Sequence, residues 1–495
     1  MIASNDWVSY MWILLICYAS LILLFVVRGA KRAKSLSDYA IGNIGFPSWV
    51  VGLSLAASMT SAATFIINPG FIALYGVSGL ISFAVVMPIA IFVSLILFTK
   101  GFAKYGNVVK ANTMAQWIGS RYNSKRFSFF FGIIALLLIT FIVLINVGIT
   151  QVISKSLNVD PFYVLLGLTF FVFGYMMFGG ANSMVYTNTI QALIMFVVAI
   201  ILISSGSEYF ENGISGLMSR LSEIDPNLVT PTNKESFLFR DYFEIVLAQV
   251  IIGIAIVCQP HIITKSLLLK DKQSINFYLG SGIAFMSVFF LVVVVGLYAR
   301  LSFPDLSLGG SVLKMDEIVP TYVVTKFSVG IGMVIVIGLI SAGLSTLEGL
   351  IQSLSITVTS DILMPIFKGA VKNTVMVNKI VIVALAVVSF YLSWQQIKSP
   401  DVSVAIFAQN GVYAYFAAAF VPVFFGVFLK EVPLVAVFVA SITAIVVHFG
   451  VYYGRLTPYM QEPVNNPGVS AAIGILFSIG IGYLIYGFNK KFVMS

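Results

Sequence analysis

Charge is scarce in this sequence: 9% of its 495 residues are Asp, Glu, Lys or Arg, against roughly 25% in soluble domains. Water is therefore not its main solvent. Cysteine is almost missing: Cys17 and Cys258 both fall inside apolar runs, so neither a disulfide framework nor a thiolate metal cluster is supported. The only histidines are His261 and His448, far apart in sequence, and neither has a metal-ligand partner nearby. No HExxH, no paired intramembrane aspartates and no Ser/His arrangement is found, which argues against an enzyme embedded in the membrane. A channel would want a repeated filter motif or rings of charge, and these are missing too. The formal charge is +9, but the basic residues sit in short loops and form no continuous patch, so nucleic acid is not an expected partner. The first ten residues, MIASNDWVSY, contain no basic residue, so the first apolar run reads as a retained helix, and the lack of a targeting segment favours a bacterial inner membrane.

What the chain has in abundance is apolar length. Its mean hydropathy is +1.01, and runs such as Trp12 to Val27, Ile81 to Phe98, Phe129 to Val147 and Ile380 to Trp394 approach the roughly 20 residues that cross hydrocarbon. The runs are continuous and do not alternate apolar with polar, which predicts helices and not a barrel. Bounding them by charges and Pro/Gly clusters predicts an all-α polytopic membrane protein of thirteen spans, near 10–28, 47–70, 77–99, 127–152, 161–179, 188–206, 243–264, 275–299, 327–357, 377–395, 402–429, 432–453 and 468–487. An odd number puts the termini on opposite sides. With the N-terminus outside and the C-terminus in the cytoplasm, nineteen of the 28 basic residues fall in inner loops and nine in outer ones, the arrangement that the positive-inside rule favours.

Two predicted spans are unusual for their hydroxyl groups. The second contains Ser54, Ser58, Thr60, Ser61 and Thr64, followed by Asn68-Pro69-Gly70, and the ninth contains Ser341 to Gly349. Small residues let helices approach closely, and packing alone accounts for any single one of them. Taken together, the two stretches can supply oxygens to a bare cation near the midplane, since a hard ion such as sodium needs several oxygen ligands and can take them from hydroxyls and from the carbonyls of an interrupted helix.

These residues resemble the sodium:solute symporter family, which includes bacterial proline and pantothenate permeases and sodium/glucose cotransporters. The resemblance rests on Ala57 to Phe65 with Pro69-Gly70; on Phe178-Gly179-Gly180 with Tyr186 to Ala192; on Gln259-Pro260-His261 with Lys265; on Ala342 to Thr346; and on Tyr413 to Pro422. It implies a core of two inverted five-helix repeats, 47–206 and 243–429, with broken first and sixth core helices. An extra helix and loop (1–46) precede them, an extracellular loop (207–242) separates them, and two helices with a short tail (430–495) follow. It implies one sodium held by the carbonyls of Ala57, Thr60 and Ala342 and the hydroxyls of Ser345 and Thr346. It also implies a small-molecule solute and a chain that works as a monomer in the bilayer.

The sequence departs from the family pattern at two places. Asn188 stands between Thr187 and Thr189, where many members carry aspartate, and Glu348 and Gly349 follow the hydroxyl pair, where members with a second sodium place serines. An acid inside a span is costly and marks a functional candidate: Glu348 can rebuild a cation site with Asn188, relay protons, face an amine on the solute, or simply pair with a polar neighbour. It is read as the only carboxylate well inside a span, and no Lys or Arg is placed deep in one. Gln259, Pro260 and His261 are placed at the cytoplasmic end of a helix.

The residues expected to line the solute site are Ser61, Thr64, Asn146, Gln151, Gln409, Asn410 and Tyr413, with interhelical hydrogen bonding as the alternative role for Asn146 and Gln151. Without a basic side chain, an anionic solute would depend on half-helix dipoles and hydroxyls. Ala255 and Ile252 stand where sugar-transporting members have a tyrosine gate and a polar neighbour, which favours an organic acid, amino acid or vitamin-like acid over a sugar. The function expected is sodium-coupled symport by alternating access. A proton-coupled carrier using Glu348 and a solute sensor of the same fold are the alternatives.

Overall fold

The computed structural model describes residues 5–32, 35–269, 274–367, 373–399, 403–461 and 464–494. Lys34, Lys270, Lys272, Lys368 and Lys372, which were assigned to inner loops, lie outside them, and so do the side chains of Lys490 and Lys491.

Among the described residues the chain is almost wholly helical. Its spans are α1 Asn5–Ala30, the bent pair α2 Ser48–Met59 and α3 Ala63–Tyr75, α4 Val77–Val109, α5 Lys125–Leu157, α6 Pro161–Met176, α7 Ala181–Ser204, the bent pair α8 Phe243–Cys258 and α9 Pro260–Leu268, α10 Ile275–Ser302, α11 Val329–Ile366, α12 Thr374–Lys398, α13 Val404–Phe428, α14 Leu434–Gly454 and α15 Pro467–Met494. Ten are long and apolar enough to cross a membrane, and the two bent pairs make twelve. The thirteenth expected span is α6, whose 16 residues fall short of the roughly 20 that cross hydrocarbon.

The two breaks arise from different chemistry. At the first, Thr60 leaves the helical region (φ −102°, ψ 89°); its hydroxyl donates back to the Ala56 carbonyl at 2.6 Å, and the Ser61 hydroxyl accepts from the Ala63 amide at 3.1 Å. Side chains thus take the place of ladder partners on both sides of a 54° bend. The break comes before Asn68-Pro69-Gly70, and Pro69 lies in the second turn of α3, just after the wide turn Ala63–Ile67 gives way to regular helix. At the second break, Pro260 holds Gln259 extended (φ −78°, ψ 138°) and the axis turns by 63°, because a residue before proline avoids the helical region.

α11 and α13 lie at the centre, with 72% and 83% of their central windows buried, whereas α1 and α12 are peripheral at 22% and 28%. α2 and α11 both pack on α7, and α5 packs on α11 and α13. The outward faces carry bare apolar side chains such as Phe170 and Ile89, as a lipid-facing surface requires. Outside this bundle, a short hairpin pairs Ser307–Leu308 with Ser311–Val312; Gly309 (φ 60°) and Gly310 (φ 81°) form its turn, which needs positive φ at both central positions.

Candidate functional site

The end of α2 meets the middle of α11, and there the oxygens converge. The Ser345 hydroxyl lies 2.8 Å from the Ala57 carbonyl and 3.0 Å from the Ala342 carbonyl, and one proton cannot serve both acceptors at once. One residue along, Thr346 donates to the Ser58 carbonyl at 3.0 Å, and the Ser58 hydroxyl lies 3.1 Å from the Ser345 carbonyl. Ala57, Ala342, Ser345 and Thr346 are fully buried. The structure therefore brings together three of the oxygens expected around sodium, and it places Thr346 beside them on the adjacent carbonyl. The Thr60 hydroxyl donates to the Ala56 carbonyl, and the ligand expected from this residue is its carbonyl. Neutral oxygens in a dry setting suit a hard monovalent cation.

A second buried cluster adjoins the first and contains both signs of charge. Glu348, wholly buried, accepts from Tyr175 Oη at 2.6 Å, Thr187 Oγ1 at 2.5 Å and Gln191 Nε2 at 3.3 Å. Lys265 is 2% exposed and donates to Ser54 Oγ at 2.7 Å. Asn188 stands between them: in the orientation that satisfies its amide, Nδ2 donates to Glu348 Oε2 at 3.1 Å and Gln191 Oε1 at 3.0 Å, and Oδ1 accepts from Lys265 Nζ at 3.1 Å and Ser58 Oγ at 2.8 Å.

Two sequence-based expectations are corrected here. Lys265 is a basic residue deep in the bundle, because the helix resumes after Pro260 as α9 and carries Lys265 inward instead of into a loop. Gln259, Pro260 and His261 form the second break and are buried. α11 runs on to Ile366, beyond the predicted span, and this extension holds buried Asp361, which accepts from Thr113 at 2.7 Å and Ser128 at 2.9 Å, at the connection between α4 and α5.

Between the breaks lies a cavity of about 710 Å³ counting its open mouth. Ser61, Thr64, Asn68, Gln259, Gln409 and Tyr413 give it polar atoms, and Met59, Phe83, Met87, Ile91, Phe141, Leu144 and Phe290 form much of its apolar wall. Of the residues expected to contact solute, Ser61, Thr64, Gln409 and Tyr413 are there. The other three lie elsewhere: Asn146 faces Ser393 on α12 at 3.4 Å, Asn410 donates to Tyr453 at 2.9 Å, and Gln151 is half-buried away from the cavity.

The pattern of the sodium:solute symporter family matches residues 39–444, which contain both breaks, both clusters and the cavity wall. The chain belongs to the sodium:solute symporter family. Symporters similar to it include the sodium/pantothenate symporter of Haemophilus influenzae, 25% identical over 78% of this chain and 79% of that one, and the sodium/proline symporter 2 of Staphylococcus saprophyticus, 22% identical over 98% and 94%. Its fold is that of a solved sodium-coupled sialic acid symporter in a substrate-bound, outward-open state, with a TM-score of 0.76 at 18% identity over 94% of this chain and 96% of that one.

Within this symporter, sequence reasoning missed Tyr175 and the roles of Ser58 and Lys265. Tyr175 had no signal to find, being one aromatic residue among many in an apolar span. Lys265 had one: it lies five residues after Pro260, with apolar residues resuming on both sides of it (Ile262-Ile263 and Leu267 to Leu269).

Proposed function

We propose that this family member is a sodium-coupled symporter that imports a small organic acid by alternating access, from a position spanning the cell membrane with the N-terminus outside and the C-terminus in the cytoplasm. The observation that carries this is the Ser345 hydroxyl set between the Ala57 and Ala342 carbonyls, one on each of two helices that a cation would hold together. Sodium entering from outside replaces the Ser345 proton as the link between α2 and α11 and fixes the Thr60–Ser61 break, which forms one edge of the cavity. Each positive charge moved inward gains about 2.3 kcal/mol per 100 mV. When α2 and α11 part toward the cytoplasm the oxygens separate and the ion leaves.

The cavity supports an amphiphilic solute. A sugar acid with many hydroxyls would bury more donors than six polar side chains can satisfy, whereas an acid with an apolar body and one or two amide or hydroxyl groups suits aromatic and thioether walls. No Lys or Arg lines this space, so a carboxylate would meet neutral donors. The relatives take pantothenate, proline and sialic acid, and of these pantothenate fits that description best. The test is uptake into proteoliposomes holding the purified chain, with labelled pantothenate, proline and sialic acid offered under an inward sodium gradient and then under potassium at equal ionic strength. Sodium-driven accumulation of an organic acid supports the proposal, and uptake indifferent to sodium but driven by a proton gradient would replace it with proton coupling.

A further inference from the structure

The buried charges beside the sodium cluster are a complete ion site whose cation is already attached. Ser54 and Asn188 turn oxygens into a dry space between α2, α7 and α11, Ser58 and Glu348 bond the same Asn188 amide, and the Glu348 carboxylate supplies the negative charge that would draw a small cation there. The space is taken. The Lys265 ammonium enters from α9, donating to Ser54 at 2.7 Å and to the Asn188 oxygen at 3.1 Å. The Asn188 amide is orientated by the two charges, oxygen to the ammonium and nitrogen to the carboxylate. With Lys265 and Glu348 both buried the cluster is neutral. A metal cation added to it would put two positive charges side by side in a low dielectric, with one carboxylate between them.

We propose that Lys265 is a tethered, resident cation filling the place of a second metal ion, so that this symporter binds one sodium per chain. The proposal rests on the sodium reading of the Ala57–Ser345 cluster and goes further by fixing the stoichiometry. It also gives α9 a role. Sodium links α2 to α11 at Ser345, and Lys265 links the inner half of the broken α8–α9 helix to α2 at Ser54 and, through Asn188, to α7 and α11. One clasp is exchanged with solution in every cycle, while the other is part of the chain.

Equilibrium binding of radioactive sodium to the purified full-length chain tests this. Wild type is expected to saturate at one ion per chain, and Ser345→Ala to lose it. Lys265→Ala leaves Glu348 unpaired and is expected to saturate at two, the added ion surviving Ser345→Ala and disappearing in Lys265→Ala with Glu348→Gln. That double variant carries no buried charge in the cluster, so it is expected to fold and return to one ion even where Lys265→Ala alone does not fold. Two ions in wild type overturn the resident cation while leaving sodium coupling intact, and so does a single ion in well-folded Lys265→Ala. No sodium in any of these proteins overturns the sodium reading itself.

Discussion

Ser345 Oγ lies 2.8 Å from the carbonyl of Ala57, a residue 288 positions earlier in the chain. Replacing Ser345 by alanine removes one oxygen from the ion cluster and leaves the Ala57 carbonyl without its donor. Sodium affinity is expected to fall by about tenfold or more, equivalent to about 1.4 kcal/mol. A ligand bound only by the folded state stabilises it by mass action, about 2.7 kcal/mol at a hundredfold excess over Kd. Melting curves of wild type in sodium and in potassium should therefore separate, and those of the Ser345→Ala, Thr346→Ala variant should coincide. Curves that separate equally in both proteins would place the ion elsewhere.

Lys265 and Glu348 are expected to behave non-additively. Each single neutral variant, Lys265→Met or Glu348→Gln, strands an opposite charge in the bundle, which costs about 3–5 kcal/mol when a buried partner is removed. The double variant strands none and should lie well above the less stable single variant in a melting series. Additive losses would mean that the two charges do not sense each other through Asn188. The same series addresses the proton-coupled alternative: sodium-driven uptake that persists in Glu348→Gln without a change in pH dependence removes Glu348 from coupling.

How far the sequence revealed this site depended on which residues leave a pattern. Ser345 and Thr346 were legible because they lie in a cluster of small and hydroxyl residues that matches another around Thr60-Ser61, whereas Gln259-Pro260 was read as a helix end and not as the second break. The error over Lys265 came from treating a charge as the end of a helix. In a re-entering half-helix the chain turns by 63° at Pro260 and continues inward, so the same lysine marks an interior and not a boundary. A polar residue in an apolar span has two uses, facing a cavity or bonding a neighbouring helix; both stayed open for Asn146 and only the first was expected of Asn410, and the neighbours Ser393 and Tyr453 decide for the second.

Gly70 is expected to tolerate nothing larger. A Cβ there would lie 2.3 Å from the Met315 carbonyl, backbone that cannot swing aside as a side-chain end can. Gly70→Ala should cost about 1–3 kcal/mol, the usual range for overpacking, and Gly70→Val more. Thermal unfolding measures the loss. An unchanged midpoint in Gly70→Ala would mean that the 300–326 loop does not pack on α3 as the structure has it.

Gln259 carries the clearest statement about the solute. It is 2% exposed, its Nε2 donates to the Ile256 carbonyl at 3.2 Å, and its Oε1 has no hydrogen-bond partner among the described residues although it stands on the wall of the cavity. A buried acceptor left empty costs free energy that a bound N–H or O–H donor returns, so the solute is expected to present such a donor to the second break. Gln259→Leu keeps the approximate volume and removes the acceptor. The expected result is a KM for the transported acid raised by about tenfold or more, a loss of about 1.4 kcal/mol, while the sodium-induced shift in melting temperature stays as in wild type. A change in the sodium response instead would tie Gln259 to the ion cluster. An unchanged KM would move the solute's donor toward Tyr413 and Gln409 on α13, where Tyr413→Phe becomes the variant that reads it.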